Sequence, residues 1–542
     1  MIMKRQNRVI TILLCVAVSG FLITEILLNL TPPISRDALI HHLAIPKLWL
    51  LHGGFYEIPW ADFSYFPMNI DLLYLIPLYF KNDIVPKFIH LAFGFGTGLL
   101  IYSYVKNRFN RNWGLLGFLI FFTTPIIVRL STTAYVDLGM AFFITASILA
   151  FVRWRDDGYK NTKWLILSAI CMGLAAGSKY NALIAWFFLN LMLIFCYSRD
   201  NGKTLPALKY GVVFFAITFL IASPWYIKNY ILTANPLYPL FDNFFKDNNL
   251  AGAVNNNWTA GIFQRRETMF GEGFWETIFV PVRIFFQGRD GYAQYFDGVL
   301  NPILIIMLPF AFLNKYLKRD KTFFFLFSVF FLFMAYFLTV IRVRYILPVI
   351  PFLTILSVVG IKNIVEWADK KPNPLRRTGL IGISAVIMIL ISLNVLYLKD
   401  YFNAVQPVRY VLGQETKDEF LTRHMGSYPA VKYINKNLPD NVRISLMFIG
   451  RRGYYLDKPY YHEASFGMNT INGMVSASRS KQDFQAYLHV LDCTHILMRI
   501  DLFNKYLRDN FSEVTTIRFL DLVKEYWNPI YESNGYVIIK LK

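Results

Sequence analysis

The chain is short of charge. Only 17% of its 542 residues are Asp, Glu, Lys or Arg, where a soluble globular protein carries about 25%. That leaves too few charged side chains to cover a water-exposed surface of this size, and it excludes both intrinsic disorder and a soluble enzyme. Cysteine is scarce too. Cys15, Cys171 and Cys196 lie in apolar runs and Cys493 stands alone, so a disulfide framework is excluded. The sequence also lacks low-complexity tracts and inverted-repeat symmetry between its halves. No Gly-rich nucleotide loop opens a helix after a strand, and no D-x-D pair sits in the basic loops between apolar runs. The apolar stretch 9–30, behind Lys4, Arg5 and Arg8, is too long for a signal-peptide core and no small-residue cleavage site follows. It reads as an uncleaved first span.

What is present is hydrophobic: 55% of residues, 17% of all residues being aromatic. Eleven apolar segments can each cross ~30 Å of hydrocarbon: 9–30, 84–105, 113–128, 133–152, 163–178, 181–197, 206–223, 299–314, 322–340, 346–365 and 379–397. The net charge of +20 could suggest nucleic acid, but its location argues otherwise. Residues 400–542 hold 18 Lys and Arg against 15 Asp and Glu, and the upstream part holds 37 against 20. The excess lies in alternate loops between spans, such as Lys106/Arg108/Arg111, Arg153/Arg155/Lys160/Lys163 and Lys315/Lys318/Arg319/Lys321. The other short loops hold only Arg129, Lys179, Arg342 and Arg344. That asymmetry is the positive-inside pattern and calls for no nucleic acid. It places the N-terminus in the cytoplasm and the C-terminus outside.

Two outer segments exceed a connector: 31–83 and 224–298. Residues 37–51 have helical spacing with Leu39, Leu43, Trp49 and Leu50 apolar, and residues 274–287 look similar; both are expected to lie flat on the membrane surface. From residue 399 the pattern becomes that of a small α/β domain. Helices are expected at 428–438 and 480–492, and strands at 442–448, 495–499 and 536–541. The expected organisation is a multi-span helical bundle, 1–398, with an extracytoplasmic α/β domain, 399–542.

Polar residues gather at the outer ends of the spans. Asp37 and His41 stand at i,i+4, a spacing that puts a carboxylate and an imidazole on one helix face, able to share a metal or a proton; the ordinary alternative is a local hydrogen bond in a solvated helix. His42, Glu57 and Asp62 follow. Asp137 enters the fourth span in Tyr135-Val136-Asp137-Leu138, where an embedded acid is either functional or ion-paired, here with Arg129 or Lys179. Lys179, Arg342, Arg344 and Tyr345 stand at headgroup depth. Arginine forks and a lysine point charge suit a lipid phosphate, and also suit plain anchoring to anionic lipids.

The order of these pieces resembles the GT-C membrane glycosyltransferases, and is similar to the protein O-mannosyltransferase and aminoarabinose transferase families. Asp37-Ala38-Leu39-Ile40-His41-His42-Leu43 resembles their D-A-L-x-Y-H-L opening, which makes His42 the family's histidine. Phe66-Pro67-Met68-Asn69 resembles F-P-x-N, and Tyr135-Val136-Asp137 the second acidic motif. Gly173-Leu174-Ala175-Ala176-Gly177-Ser178-Lys179-Tyr180 is similar to G-L-A-A-G-x-K-Y. Pro224-Trp225-Tyr226-Ile227-Lys228-Asn229 resembles P-W-Y-x-R-N with Lys228 for Arg. Asn235-Pro236-Leu237-Tyr238-Pro239 resembles G-N-P-x-Y-P with Ala234 for Gly, and Arg344-Tyr345-Ile346-Leu347-Pro348 resembles R-Y-x-L-P.

The resemblance implies an inverting transferase in a bacterial inner membrane, moving a sugar from a polyprenyl (undecaprenyl-type) phosphate to an extracytoplasmic lipid, glycan or protein acceptor. Asp37 would be the base, with Asp137 beside it in the catalytic set. Lys179, Lys228, Arg342, Arg344 and Tyr345 would face the donor phosphate. His42, Glu57, Asn69 and Asn235 would position sugar, acceptor or loops. Some relatives bind a divalent metal at the acidic pair and others do not, so a metal on Asp37 and Asp137 stays open. The rival classes are a flippase of lipid-linked sugars and an inactive scaffold of the same fold.

Overall fold

The computed structural model describes residues 2–245 and 261–542. Among them, eight helices are long and apolar enough to cross a membrane: Arg8–Asn29, Val85–Arg108, Asp137–Asp156, Ala182–Asn201, Thr204–Thr233, Lys318–Leu338, Val343–Asp369 and Leu375–Val405. The other three expected segments are helical but irregular. Residues 113–128 fall in two helices, Arg111–Phe122 and Pro125–Ser131, bent by 70°. Hydropathy misses this break because it ignores Pro125, which cannot donate a backbone bond to the preceding turn and starts the second helix instead. Lys163–Ala176 and Ile303–Phe312 are short apolar helices. Lys163–Ala176 stops at Gly177, one turn before Lys179.

The Thr204–Thr233 helix runs ten residues past the expected end and stops at Ala234, which has a φ of +56°. The Pro224–Asn229 motif is therefore helical, and the second outer loop starts at 234; residues 246–260 of that loop lie outside the described residues. The expected helix at 274–287 is two short ones, Phe274–Ile278 and Val280–Arg283, with Phe274, Trp275, Phe279 and Phe286 exposed.

Contacts divide the chain into two compact units. One comprises Met1–Leu30, Pro67–Ile70 and Pro86–Pro407; the other Thr31–Phe66, Asp71–Val85 and Val408–Lys542. Most of the first outer loop thus belongs with the tail. In that loop residues 38–42 wind in a wide turn closed by Leu43 N–H donating to Ala38 C=O, five residues back, before the helix Ala44–His52. Leu39, Leu43 and Trp49 are at most 4% exposed, so the apolar face expected to meet the membrane is covered by protein.

The tail holds a five-stranded sheet of β1 (Ile444–Met447), β2 (Tyr460–His462), β3 (His495–Arg499), β4 (Trp527–Ser533) and β5 (Tyr536–Leu541), in the order β2-β1-β3-β5-β4. β1 is parallel to β2 and β3, and β5 is antiparallel to β3 and β4. Both faces are buried, and period-2 alternation sorts them. Ile496, Met498, Val537 and Ile539 pack with Phe484, Phe503 and Phe519. Leu497 and Ile538, between them in sequence, pack on the opposite face with Ala430, Val431 and Ile434 of the helix Tyr428–Asn437.

Candidate active site

In the first unit the motif residues converge. Asp137 is the first residue of the helix Asp137–Asp156 and fully buried. An acid suits that end, where backbone N–H groups have no partner within the helix. Lys179 Nζ reaches its Oδ1 at 2.6 Å, so of the two partners expected for Asp137 the structure selects Lys179. Arg344 lies within electrostatic reach of the same carboxylate. The Tyr345 ring is shared by both cations, with Lys179 Nζ 5.6 Å and the Arg344 guanidinium 5.3 Å from its centroid; Arg344 also stacks on Tyr135 at 5.8 Å. Two cations thus flank one aromatic ring over one buried carboxylate.

The remaining motif residues hold this arrangement in place. Asn69 donates its backbone N–H to Gly177 C=O at 2.8 Å and accepts from Trp225 Nε1 at 2.7 Å. A Cβ at Gly177 would sit 2.1 Å from Asn69 Nδ2, so glycine is required for that approach. Tyr226 donates to Ala176 C=O and Asn229 to the Tyr180 hydroxyl, tying the P-W-Y helix to the turn that carries Lys179. Asn235 is a turn-former: it accepts from Leu237 N–H and donates to Leu240 C=O. Lys228 is half-buried, its ammonium 5.1 Å from the Trp225 ring.

Arg342 points to a different network, 3.4 Å from Asp297, which also pairs with Arg129. Burial would raise the Asp297 carboxyl, but Arg129, the Gly291 N–H and Arg342 hold it below the usual carboxylate range. Arg129 further pairs with Asp290, so this is a structural ion cluster under the second outer loop.

Sequence reading missed His90. Leu138 N–H donates to its Nε2 at 2.9 Å, while Nδ1 lies 2.8 Å and 3.0 Å from the Leu130 and Thr133 carbonyls. An acceptor on one nitrogen and a donor on the other describe a neutral imidazole, which staples the start of the Asp137 helix. A lone histidine in an apolar span was its only signal. Glu25, the embedded acid of the first span, is also fully buried, beside the Asn29 side chain that bonds to its carbonyl.

In the second unit Asp37 is half-buried and opens the wide turn at 38–42. That turn departs from the 3.6-residue repeat on which the Asp37–His41 pairing rests. His41 stacks on Phe63 at 4.3 Å, and His42 is buried with Nδ1 2.7 Å from Asp71 Oδ1. Glu57 is exposed and accepts from Tyr65 Oη at 2.6 Å, which anchors the loop. Among the described residues no group of three or more His, Cys, Asp or Glu side chains is placed to hold a metal ion. Asp137 has Lys179 and Arg344 around it, and Arg36 and Arg451 stand near Asp37.

Residues 62–236, about a third of the chain, match the family described as dolichyl-phosphate-mannose-protein mannosyltransferase. The structure is similar to that of ArnT from Cupriavidus metallidurans bound to undecaprenyl phosphate, with a TM-score of 0.57 and 14% identity over 97% of each chain. It is also similar to the archaeal oligosaccharyltransferase AglB from Archaeoglobus fulgidus in complex with an inhibitory peptide and a dolichol-phosphate. There the TM-score is 0.54 and the identity 10%, over 97% of this chain and 74% of that one. No curated protein matches the sequence. The resemblance read from the motifs holds at the level of fold: this is a multi-pass membrane protein with the GT-C glycosyltransferase fold.

Proposed function

We propose that the protein is a glycosyltransferase that moves a sugar from a polyprenyl phosphate to an acceptor hydroxyl on the outer side of a bacterial inner membrane. The observation that carries this reading is the Lys179–Tyr345–Arg344 cation pair set against the buried Asp137. In transfer, the acceptor O–H gives its proton to the Asp37 carboxylate while its oxygen attacks the anomeric carbon. The bond from that carbon to the phosphate oxygen breaks, the electron pair leaves with the polyprenyl phosphate, and the anomeric configuration inverts. Charge grows on the leaving phosphate. Preplaced cations in a site of low dielectric stabilise that charge without reorganising during the reaction.

Lys179 and Arg344 fill this role, with Lys228 a third cation on the P-W-Y helix. Asp137 fixes the Lys179 ammonium and keeps the uncharged-ligand state of the cluster from carrying two unbalanced cations. Arg342 pairs with Asp297 through one of its five N–H donors and keeps the others for the donor phosphate. The polyprenyl tail suits an apolar bundle, each buried CH₂ contributing ~0.8 kcal/mol.

The test is mass spectrometry of lipid-linked sugars in native-host membranes, comparing overexpressed wild type with Asp37→Asn. Wild type should deplete one polyprenyl-phosphate sugar that accumulates in the variant, which also names the donor. Matching profiles with both proteins present would overturn Asp37 as the base. A flippase would keep moving lipid in the Asp37→Asn background, and an inactive scaffold would leave every such lipid unchanged in both.

A further inference from the structure

The tail carries a loop, residues 449–457, that packs on the first outer loop within the second unit. Tyr454 N–H donates to Leu39 C=O at 3.2 Å and Tyr455 Oη to Pro33 C=O at 2.8 Å. Lys47 Nζ donates to the Tyr454 and Leu456 carbonyls and pairs with Asp457 at 2.8 Å. These anchors bracket Asp37 on both sides in sequence and fix the loop that bears Arg451. The Arg451 side chain is 13% exposed, and its guanidinium lies 5.3 Å and 5.1 Å from the centroids of the Phe63 and Phe466 rings.

So placed, Arg451 is poorly satisfied. Its ion-pair contact is Asp62 at 3.9 Å, and its Nε is buried with no hydrogen-bond partner. Other arginines of the same unit use the planar fork fully. Arg423 meets Glu415 through Nε and Nη2 at 2.8 Å and 2.7 Å, and Arg499 meets Asp501 through the same two atoms at 2.8 Å and 2.9 Å. A guanidinium brings five donors, and leaving them unmade when buried is costly. Arg36 adds positive charge nearby, and the Asp62 and Asp37 carboxylates offset it. Arg36 lies 6.0 Å from the same Phe466 ring, and His462, 3% exposed, has a buried Nδ1 with no hydrogen-bond partner. Burial and the Arg451 charge push the His462 imidazole down to about 3, so it is neutral at ordinary pH and ready to donate or accept one bond. Asp37 lies within electrostatic reach of Arg451.

We infer that Arg451, with Arg36, binds an oxyanion of the acceptor, a phosphate or a carboxylate, beside Asp37. This rests on the reading of Asp37 as the base. It gives the tail a direct part in acceptor recognition: the acceptor is anionic, its charge held by a stacked guanidinium, while the hydroxyl to be glycosylated meets Asp37. A planar fork set beside two aromatic rings is suited to bidentate capture of such a group.

The test uses the purified full-length protein in dodecyl maltoside, with radiolabelled inorganic phosphate and acetate as probes in equilibrium dialysis. An Arg344→Ala background removes phosphate binding at the donor cluster. In that background Arg451→Ala should weaken binding of phosphate, acetate or both by at least about tenfold, and the probe affected names the oxyanion. Arg451→Lys, which keeps the charge and loses the fork, should retain the fold and lose part of that affinity. Unchanged binding of both probes in either Arg451 variant overturns the proposal. Asp37→Asn separates it from the reading beneath it. That variant should still bind the probe through Arg451 and fail in transfer, whereas an active Asp37→Asn sinks the base and leaves the oxyanion site standing.

Discussion

The two units build their functional residues in opposite ways. In the first, Asp137, Lys179 and Arg344 come from three chain segments separated by dozens of residues, and His90 holds the start of the Asp137 helix while Asn69, Tyr226 and Asn229 hold the turn that carries Lys179. The Asp137 carboxylate is fully buried and paired with the half-buried Lys179. In the second, Asp37 sits half-buried on one turn of a loop, and its surroundings are completed by side chains of the tail. In the first arrangement a change of charge strands a buried partner; in the second, the half-buried Asp37 carries the proposed role of base without such a buried pair.

That contrast can be broken by mutation, most sharply at Asp37. Asp37→Asn should lower transfer by ~10²–10⁴-fold while leaving the melting temperature of the full chain unchanged, read by donor consumption and by thermal unfolding. Lys179→Ala should do damage of both kinds. It strands a fully buried carboxylate, which costs ~3–5 kcal/mol, and it removes a donor cation. In denaturant unfolding, Asp137→Asn/Lys179→Met should recover most of that loss yet remain inactive. If the double variant transferred sugar, the pair would be structural alone.

A smaller effect is expected where the first unit is stapled. Asn69→Ala should cost about 1–3 kcal/mol through the Trp225 N–H it leaves buried. Gly177→Ala should cost more through its clash with Asn69, and the two changes combined should cost less than their sum, because the clashing side chain is gone. Additive costs in a double-mutant cycle would show that Asn69 and Gly177 do not act as one joint.

The smallest effect is a pH dependence in the second unit. The His462 imidazole is held near 3 in the folded protein against an ordinary value of 6.5, so the unfolded chain binds the extra proton between those values. Its contribution to stability is full above about pH 6.5 and is lost as pH falls toward 3. His462→Gln should flatten the decline in thermal stability between pH 7 and pH 5; an equally steep decline would place the cause elsewhere.

Much of this was legible in the sequence, for physical reasons. Apolar length marks a span: eight of the eleven expected segments are helices long enough to cross a membrane, one is a bent pair and two are shorter helices. What hydropathy could not see was the break at Pro125 and the extension of one helix to Thr233. The tail strands β3 and β5 were read at their observed limits because a strand buried on both faces is a short apolar run with polar residues at its ends. The candidate charges were found because ionisable residues at helix ends are rare and conspicuous. Their supports were not: the hydrogen bond from Trp225 to Asn69 links residues 156 positions apart, and nothing local distinguishes His90 from a core histidine. Arg451 was hidden for the same reason, since a basic pair in a turn gives no hint of the two phenylalanines that lie beside it.

Under the proposed function Lys179 and Arg344 hold the donor phosphate and Asp37 takes the acceptor's proton. Binding of undecaprenyl phosphate to the purified full-length wild type, Asp37→Asn and Arg344→Ala tests it most directly. Asp37→Asn should bind the lipid with wild-type affinity, and Arg344→Ala should bind it at least about tenfold more weakly. Wild-type affinity in Arg344→Ala, or a comparable loss in Asp37→Asn, would contradict the account.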